Sequence, residues 1–421
     1  TVGGCATTAP SVNPDKDLAA LLSPAWNDAQ TFETFCETGL KEAQALKVTV
    51  KQAVGIDILK QYNTMLERVV SVQGLTSLME SVHPAEELRK TAEKCAQKVA
   101  RFDSSLNLDR ELFDAVSGVD EATLDAETKR FRSRLLRDFR RSGVDQNDET
   151  RKRLEAIQQE LVKLGQDYGR NVRKDVRYIL LDSVDALKGL PQDYIDSHAP
   201  GKDGKIRITT DYPDFYPFQN YATDGAHRRA LYEQFLRRGY PDNKAILKKV
   251  LSLRHEYAGL LGYPSWAAYN SEDKMVKTAE AIDRFIGDLT TIARPRSDAD
   301  IKQLLERKKK DDPKATQIEV WDRFFYVGKV RKEQYAFDSQ EVRQYLPFDQ
   351  VKDGIFELYS KLFGVTFHRL ADAPVWHEDV MPYSMHMDGQ EVGRFFLDMH
   401  PRANKYKHAA VFPVQHGTIG G

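Results

Sequence analysis

The sequence predicts a mainly α-helical protein with a small β-sheet near the C-terminal end of the chain. Three observations carry this expectation. Apolar residues recur at helical spacing through most of residues 24–173 and again through most of 223–363. The helical period breaks across 174–221, where Tyr178-Ile179-Leu180-Leu181 and Ile206-Arg207-Ile208-Thr209 read as short strands. From residue 374 onward the period changes to two, the spacing of half-buried strands.

In chain order, residues 1–23 read as a flexible tether rich in Ser, Thr, Ala and Pro. Helices are predicted over 28–47, 50–81, 85–102, 109–118, 125–142 and 148–173. The last has the clearest pattern: Leu154, Ile157, Leu161, Leu164 and Tyr168 step by 3, 4, 3 and 4, which puts one apolar seam along a helix. Asp148 is its expected N-cap. Gly189-Leu190-Pro191 and the stretch Gly201 to Gly204 punctuate the strand-like region. The aromatic run from Tyr212 to Phe218 reads as packing at a helix-to-loop junction, with a groove lining as the alternative. Helices resume over 223–238, 242–261, 277–310, 317–333 and 348–363, with Thr223-Asp224 and Pro241-Asp242 as starts. Tyr383 to Met387 and Val392 to Met399 flank Asp388-Gly389-Gln390, a hairpin turn, and Ala409 to Val414 reads as a third strand. The expected division is a tether (1–23), a helical lobe (24–173), a mixed then helical segment (174–373) and a hairpin region (374–421).

Composition narrows the function classes. The chain has 421 residues, 41% hydrophobic and 30% charged, ample for a large core. A formal net charge of -1 gives no global field toward nucleic acid or an anionic membrane, and neither partner is expected. No run of apolar residues reaches transmembrane length. The run Thr1-Val2-Gly3-Gly4-Cys5-Ala6-Thr7-Thr8-Ala9-Pro10 resembles a bacterial lipoprotein processing site. On that reading Cys5 carries lipid and anchors an exported protein at the bacterial cell envelope; the alternative is a stray cysteine in a cytoplasmic protein. Cys36 and Cys95 read as free, half-buried thiols, with a disulfide as the alternative in an exported chain. Neither has metal-ligand spacing.

Six of the ten histidines fall late in the chain: His368, His377, His386, His400, His408 and His416. None of them makes a helical i, i+4 pair. His377-Glu378 opens as H-E-x-x-H would, but Met381 stands at the second histidine position and Pro382 follows. No G-x-S-x-G elbow, phosphate loop or dinucleotide fingerprint is present. Residue chemistry alone therefore ends at a large helical protein with room for a groove.

A set of ordered segments carries more. Trp376-His377-Glu378-Asp379-Val380 is followed by Tyr383, then by the run Gly393 to Arg402, then by Lys405-Tyr406-Lys407-His408-Ala409-Ala410. Upstream stand the seam from Ile157 to Asn171, Gly189-Leu190-Pro191, Arg229 to Arg238, Leu253-Arg254, Leu260 to Tyr263, Lys274-Met275, and Phe356, Tyr359, Phe363 and Gly364. This order resembles the zinc metallopeptidases of the thimet oligopeptidase, oligopeptidase A and dipeptidyl carboxypeptidase family, over residues 150–412. Lys407 departs from that family's usual Gly, and Met399-His400 from its commoner Leu-Tyr.

The resemblance implies a two-lobed helical ellipsoid with a central channel. It implies zinc-activated water hydrolysing short, unfolded peptides, and a monomer. The family's H-E-x-x-H helix and later Glu ligand fall C-terminal to the matched block. This chain is therefore expected to be the N-terminal portion of a peptidase, with no catalytic residue and no zinc ligand of its own, inactive alone and leading into a missing catalytic part. The alternative is a naturally shortened, non-catalytic peptide-binding or scaffold protein. The candidate substrate-binding element is a strand edge formed by His408, Ala409, Ala410, Val411 and Phe412, whose small alanines would let a peptide backbone approach.

Overall fold

The computed structural model describes residues 25–415. Cys5, the lipid candidate, lies outside the described residues, as do His416 and the final glycines. The chain divides into two compact units, one of residues 1–166 with 356–421 and the other of residues 167–355. Fifteen α-helices and two small antiparallel sheets make up the described residues.

The first unit begins with three long antiparallel helices, α1 (Ala29–Gln52), α2 (Ile56–Val82) and α3 (Glu86–Asn107). Asp28 starts α1 by accepting from the Thr31 amide at 2.7 Å, which satisfies an otherwise unpaired N-terminal donor. Phe32, Val72, Leu75, Met79, Leu88 and Ala92 meet between the helices as one buried core. Cys36 of α1 and Cys95 of α3 are joined in a disulfide inside this core, with Cα atoms 6.0 Å apart. This corrects the expectation of free, half-buried thiols. Both side chains are fully buried, and helix packing brings together positions separated by 59 residues.

A second core in this unit gathers Leu59, Tyr62 and Met65 of α2 with α4 (Arg110–Ser117) and α5 (Ala126–Ser142). Helix α6 (Asp148–Lys174) follows. Its cap is Asn147, which accepts from the Thr150 amide at 2.8 Å, rather than the expected Asp148, which is the first helical residue. Leu154 and Ile157 of the predicted seam are buried, Leu161 and Leu164 are half-buried, and Tyr168 is exposed.

In the second unit, β1 (Tyr178–Leu181) pairs antiparallel with β2 (Ile206–Thr209), on either side of α7 (Gln192–Ser197). The aromatic run forms a helix of its own, α8 (Tyr212–Tyr221), with Pro at its start. Phe215 and Phe218 turn inward with Leu181, Ile206, Ile208 and Leu231. Then come α9 (Gly225–Leu236), α10 (Asp242–Leu260), α11 (Trp266–Ser271), α12 (Ala279–Asp311), α13 (Arg323–Tyr335) and α14 (Ser339–Arg343). Arg228 of α9 is fully buried. It donates to Asp322 at 2.7 Å and to the Ala222 carbonyl at 2.7 Å, while Lys308 reaches the other Asp322 oxygen at 2.6 Å. The carboxylate thus neutralises the buried guanidinium, a requirement for burying it at all.

Helix α15 (Phe348–Phe363) leads into the second sheet, of order β3 (Val365–Arg369), β4 (Met381–Met387), β5 (Gln390–Leu397). The predicted hairpin is β4–β5. Asp388 and Gly389 both have positive φ, 50° and 78°, as the tight two-residue turn between right-twisted strands requires. The third strand is not the expected Ala409 to Val414 but β3, which pairs with β4 from Val365↔Met387 to Arg369↔Tyr383. β3 follows a helix with only a glycine, Gly364, between them, so no cluster of turn residues sets it apart from the helical pattern.

Candidate functional site

The late segments that carried the resemblance, from Trp376, from Gly393 to Arg402 and from Lys405, converge within the first unit on one carboxylate. Asp398 follows β5 directly. Its oxygens accept from both terminal nitrogens of Arg402, at 2.6 and 2.9 Å, and from Trp376 Nε1 at 3.0 Å. Lys405 Nζ lies 3.0 Å from Asp398 Oδ1 and donates to the backbone carbonyls of Asp398 and His400, each at 2.7 Å. Burial alone would raise the Asp398 pKa, but bonds from Arg402, Lys405 and Trp376 outweigh it and hold the carboxyl below its usual range.

This clasp seats the chain on the helices. Arg402 donates to the Val82 carbonyl at 2.7 Å, and the Tyr406 amide to the Ser81 carbonyl at 2.8 Å, both at the end of α2. Trp376 packs edge-on to Trp26 at 6.0 Å and against Phe396 at 5.0 Å. Beside them His83 Nε2 donates to the Trp26 carbonyl, and its Nδ1 accepts from the Ala85 amide. Burial lowers the His83 pKa, consistent with that neutral form. Lys407, the departure from the family pattern, donates to the Arg402 carbonyl at 2.9 Å and so adds to the same loop.

The candidate peptide-binding edge follows the clasp. His408, Ala409, Ala410 and Val411 are exposed, Val411 at 93% of its maximum, and Phe412 is half-buried against the first core. The five residues form no strand, and His408 Nδ1 donates to the Ala409 carbonyl at 2.9 Å. Just beyond, the Pro413-Val414 backbone crosses α2 at Gly74, where a Cβ would stand 2.4 Å from the Pro413 oxygen. Only glycine permits that approach. Sequence reasoning missed both the clasp and this crossing. The available signal for the clasp was Asp398, Arg402 and Lys405 recurring within an otherwise apolar, aromatic stretch.

The late histidines do not converge. His368 and His386 face each other across β3 and β4 at 4.7 Å, each with a hydroxyl partner, Thr366 and Ser384. Among the described residues no group of three or more His, Cys, Asp or Glu could hold a metal. The clasp does not fit one either, because its single carboxylate is already held by a guanidinium and an ammonium. In the second unit Ser197, His198 and Asp214 superficially resemble a nucleophile, base and acid. Ser197 Oγ and His198 Nδ1 both point at the Tyr194 carbonyl, at 2.8 and 2.7 Å, while His198 Nε2 faces Asp214 at 3.3 Å. Both ring nitrogens therefore act as donors and none can take the serine proton. The Asp214 partner raises the His198 pKa accordingly.

Comparison with known proteins gives the same family as the ordered segments. Residues 218–419 match the profile of Peptidase family M3. The chain is 26% identical over 406 residues to thimet-like oligopeptidase of Dictyostelium discoideum, covering 91% of this chain and 60% of that protein. It is 27% identical over 367 residues to oligopeptidase A of Escherichia coli K12, covering 82% and 53%. Against saccharolysin of Saccharomyces cerevisiae it is 27% identical over 365 residues, covering 80% and 50%. These matches support the thimet oligopeptidase and oligopeptidase A family. The chain spans between half and three-fifths of the length of these M3 relatives. Within the residues that match the family profile, Trp376, Asp398, Arg402 and Lys405 serve as a framework that holds the end of the sheet against α2.

Proposed function

We propose that this chain is the N-terminal portion of a zinc-dependent oligopeptidase that hydrolyses short, unfolded peptides, with the zinc site on polypeptide beyond it. The observation that carries the reading is the M3 family match combined with coverage of only 50–60% of the relatives' length. When bound, zinc would acidify a water for attack on a peptide carbonyl. This chain's part is to position peptide. The exposed backbone of His408 to Val411 offers donors and acceptors to an extended substrate whatever its side chains, beside a sheet fixed by the Asp398 clasp. The protein acts as a monomer.

The test is hydrolysis of a fluorogenic peptide with and without a chelator. The 421-residue chain alone is expected to be inactive, and the product of a reading frame continued past Gly421 to be active and chelator-sensitive. A stop codon at that point would refute the reading, as would chelator-sensitive cleavage by the short chain.

We infer an exported location, with a cytoplasmic one as the alternative. A buried disulfide between α1 and α3 belongs to an oxidising compartment, which fits export with Cys5 as the lipid anchor at a bacterial envelope. Mass spectrometry of native protein is expected to find Cys5 lipidated; an unmodified Cys5 removes the anchor.

A further inference from the structure

As a set the late histidines scatter, but one pair is built into the second sheet. The register places Thr366 opposite His386 and His368 opposite Ser384. Alternate residues of a strand share a face, so all four side chains stand on one face of the β3–β4 pair. The histidines occupy one diagonal of this quartet and the hydroxyls the other. His368 reaches back along β3, with Nε2 3.1 Å from Thr366 Oγ1, and His386 reaches back along β4, with Nε2 3.0 Å from Ser384 Oγ. The strands run antiparallel, so both rings lean toward the centre of the quartet. Their centroids are 4.7 Å apart, with the planes at 81°.

The ring chemistry is that of an open ligand pair. With each Nε2–H donating to its hydroxyl, each Nδ1 keeps its lone pair, and neither Nδ1 has a partner among the described residues. A histidine that binds a metal through one nitrogen gives the other N–H to such a partner, which fixes ring and tautomer. An imidazole nitrogen binds a transition metal at about 2.0 Å, so two rings on one ion have centroids within roughly 6 Å of each other. The pair meets that condition. His368 is exposed and His386 half-buried, so an ion and its waters can enter from solvent. Glu391, opposite His386 on β5, is held by Arg394 at 2.5 and 3.2 Å and takes no part. Two imidazoles with no carboxylate reject calcium and magnesium, which want oxygen ligands. Copper(II) binds such nitrogens more tightly than the other first-row divalent ions.

We propose that His368 and His386 form a surface site for Cu2+, with water in the remaining coordination positions. The bound ion ties β3 to β4 and so stabilises the folded sheet by mass action. The site does not depend on the peptidase reading, and its test measures no hydrolysis.

The experiment titrates the 421-residue chain with Cu2+ and reads affinity by calorimetry and ligation by electron paramagnetic resonance. The spectrum of the unaltered chain is expected to show two imidazole nitrogens on one ion, and Cu2+ is expected to raise the thermal midpoint by several degrees. His368→Gln and His386→Gln are each expected to weaken binding by about a hundredfold, because one imidazole loses the gain of two linked ligands. His377→Gln, elsewhere in the chain, is expected to change nothing. A spectrum with a single imidazole nitrogen overturns the proposal, and that reading needs no variant to fold. Equal affinity in the unaltered chain and in the His368→Gln, His386→Gln double variant shows an adventitious ion only and overturns it as well.

Discussion

Asp398 shows how much a single residue organises. Its side chain, 11% exposed, is shared by Arg402 and Lys405, which are 10% and 11% exposed. Asp398→Ala leaves two nearly buried cations without a counter-charge and is expected to destabilise the first unit by about 3 kcal/mol. Urea unfolding of the variant checks this. The same pair sets a pH dependence. The folded pKa lies below the ordinary 3.8, so the carboxylate's contribution is fully present above about pH 4 and is lost as pH falls through the depressed value. Asp398→Asn should therefore flatten the stability profile below about pH 4 and lower the stability above it without changing its slope there, compared by thermal melts. In the same unit, replacing both Cys36 and Cys95 with Ala opens a loop between positions 59 residues apart. The expected loss is about 2–4 kcal/mol, read in urea under non-reducing conditions.

At the scale of elements, the cap of α6 separates two readings of one sequence. Asn147→Ala removes the side chain that accepts from the Thr150 amide and should cost about 1 kcal/mol, whereas Asp148→Ala should cost less. Urea midpoints of the two variants decide between them. Most helices were legible because their apolar period is long: the predicted 242–261 and 348–363 are the observed Asp242–Leu260 and Phe348–Phe363 to within a residue. The hairpin was legible because Asp388-Gly389 states its turn chemistry locally. β1 and β2 were read at their observed bounds, whereas β3 was passed over because no turn signal set it apart from α15. Ala409 to Val414 alternates like a strand but finds no partner to pair with, and pairing is not a local property.

For the whole molecule, residues 356–421 belong to the same compact unit as the N-terminal helices, so the chain leaves the first unit and returns to it. Arg402 donating to the Val82 carbonyl and Tyr406 to the Ser81 carbonyl are the contacts of that return. They join residues about three hundred positions apart, and no sequence window contains both. The expected inactivity of the 421-residue chain belongs to this scale too. The chain covers 53% of the length of oligopeptidase A of Escherichia coli K12.

The sequence by itself determined the helical class, the hairpin and the family resemblance, because each is written in local periodicity, turn chemistry or an ordered set of short segments. Only the tertiary structure decided that Cys36 meets Cys95, that Asp398 binds two cations, that Gly74 must be glycine, and that His368 meets His386 across two strands. Each of these depends on which distant segment packs against which, and that choice is made by the summed burial of whole faces rather than by any residue's own preference.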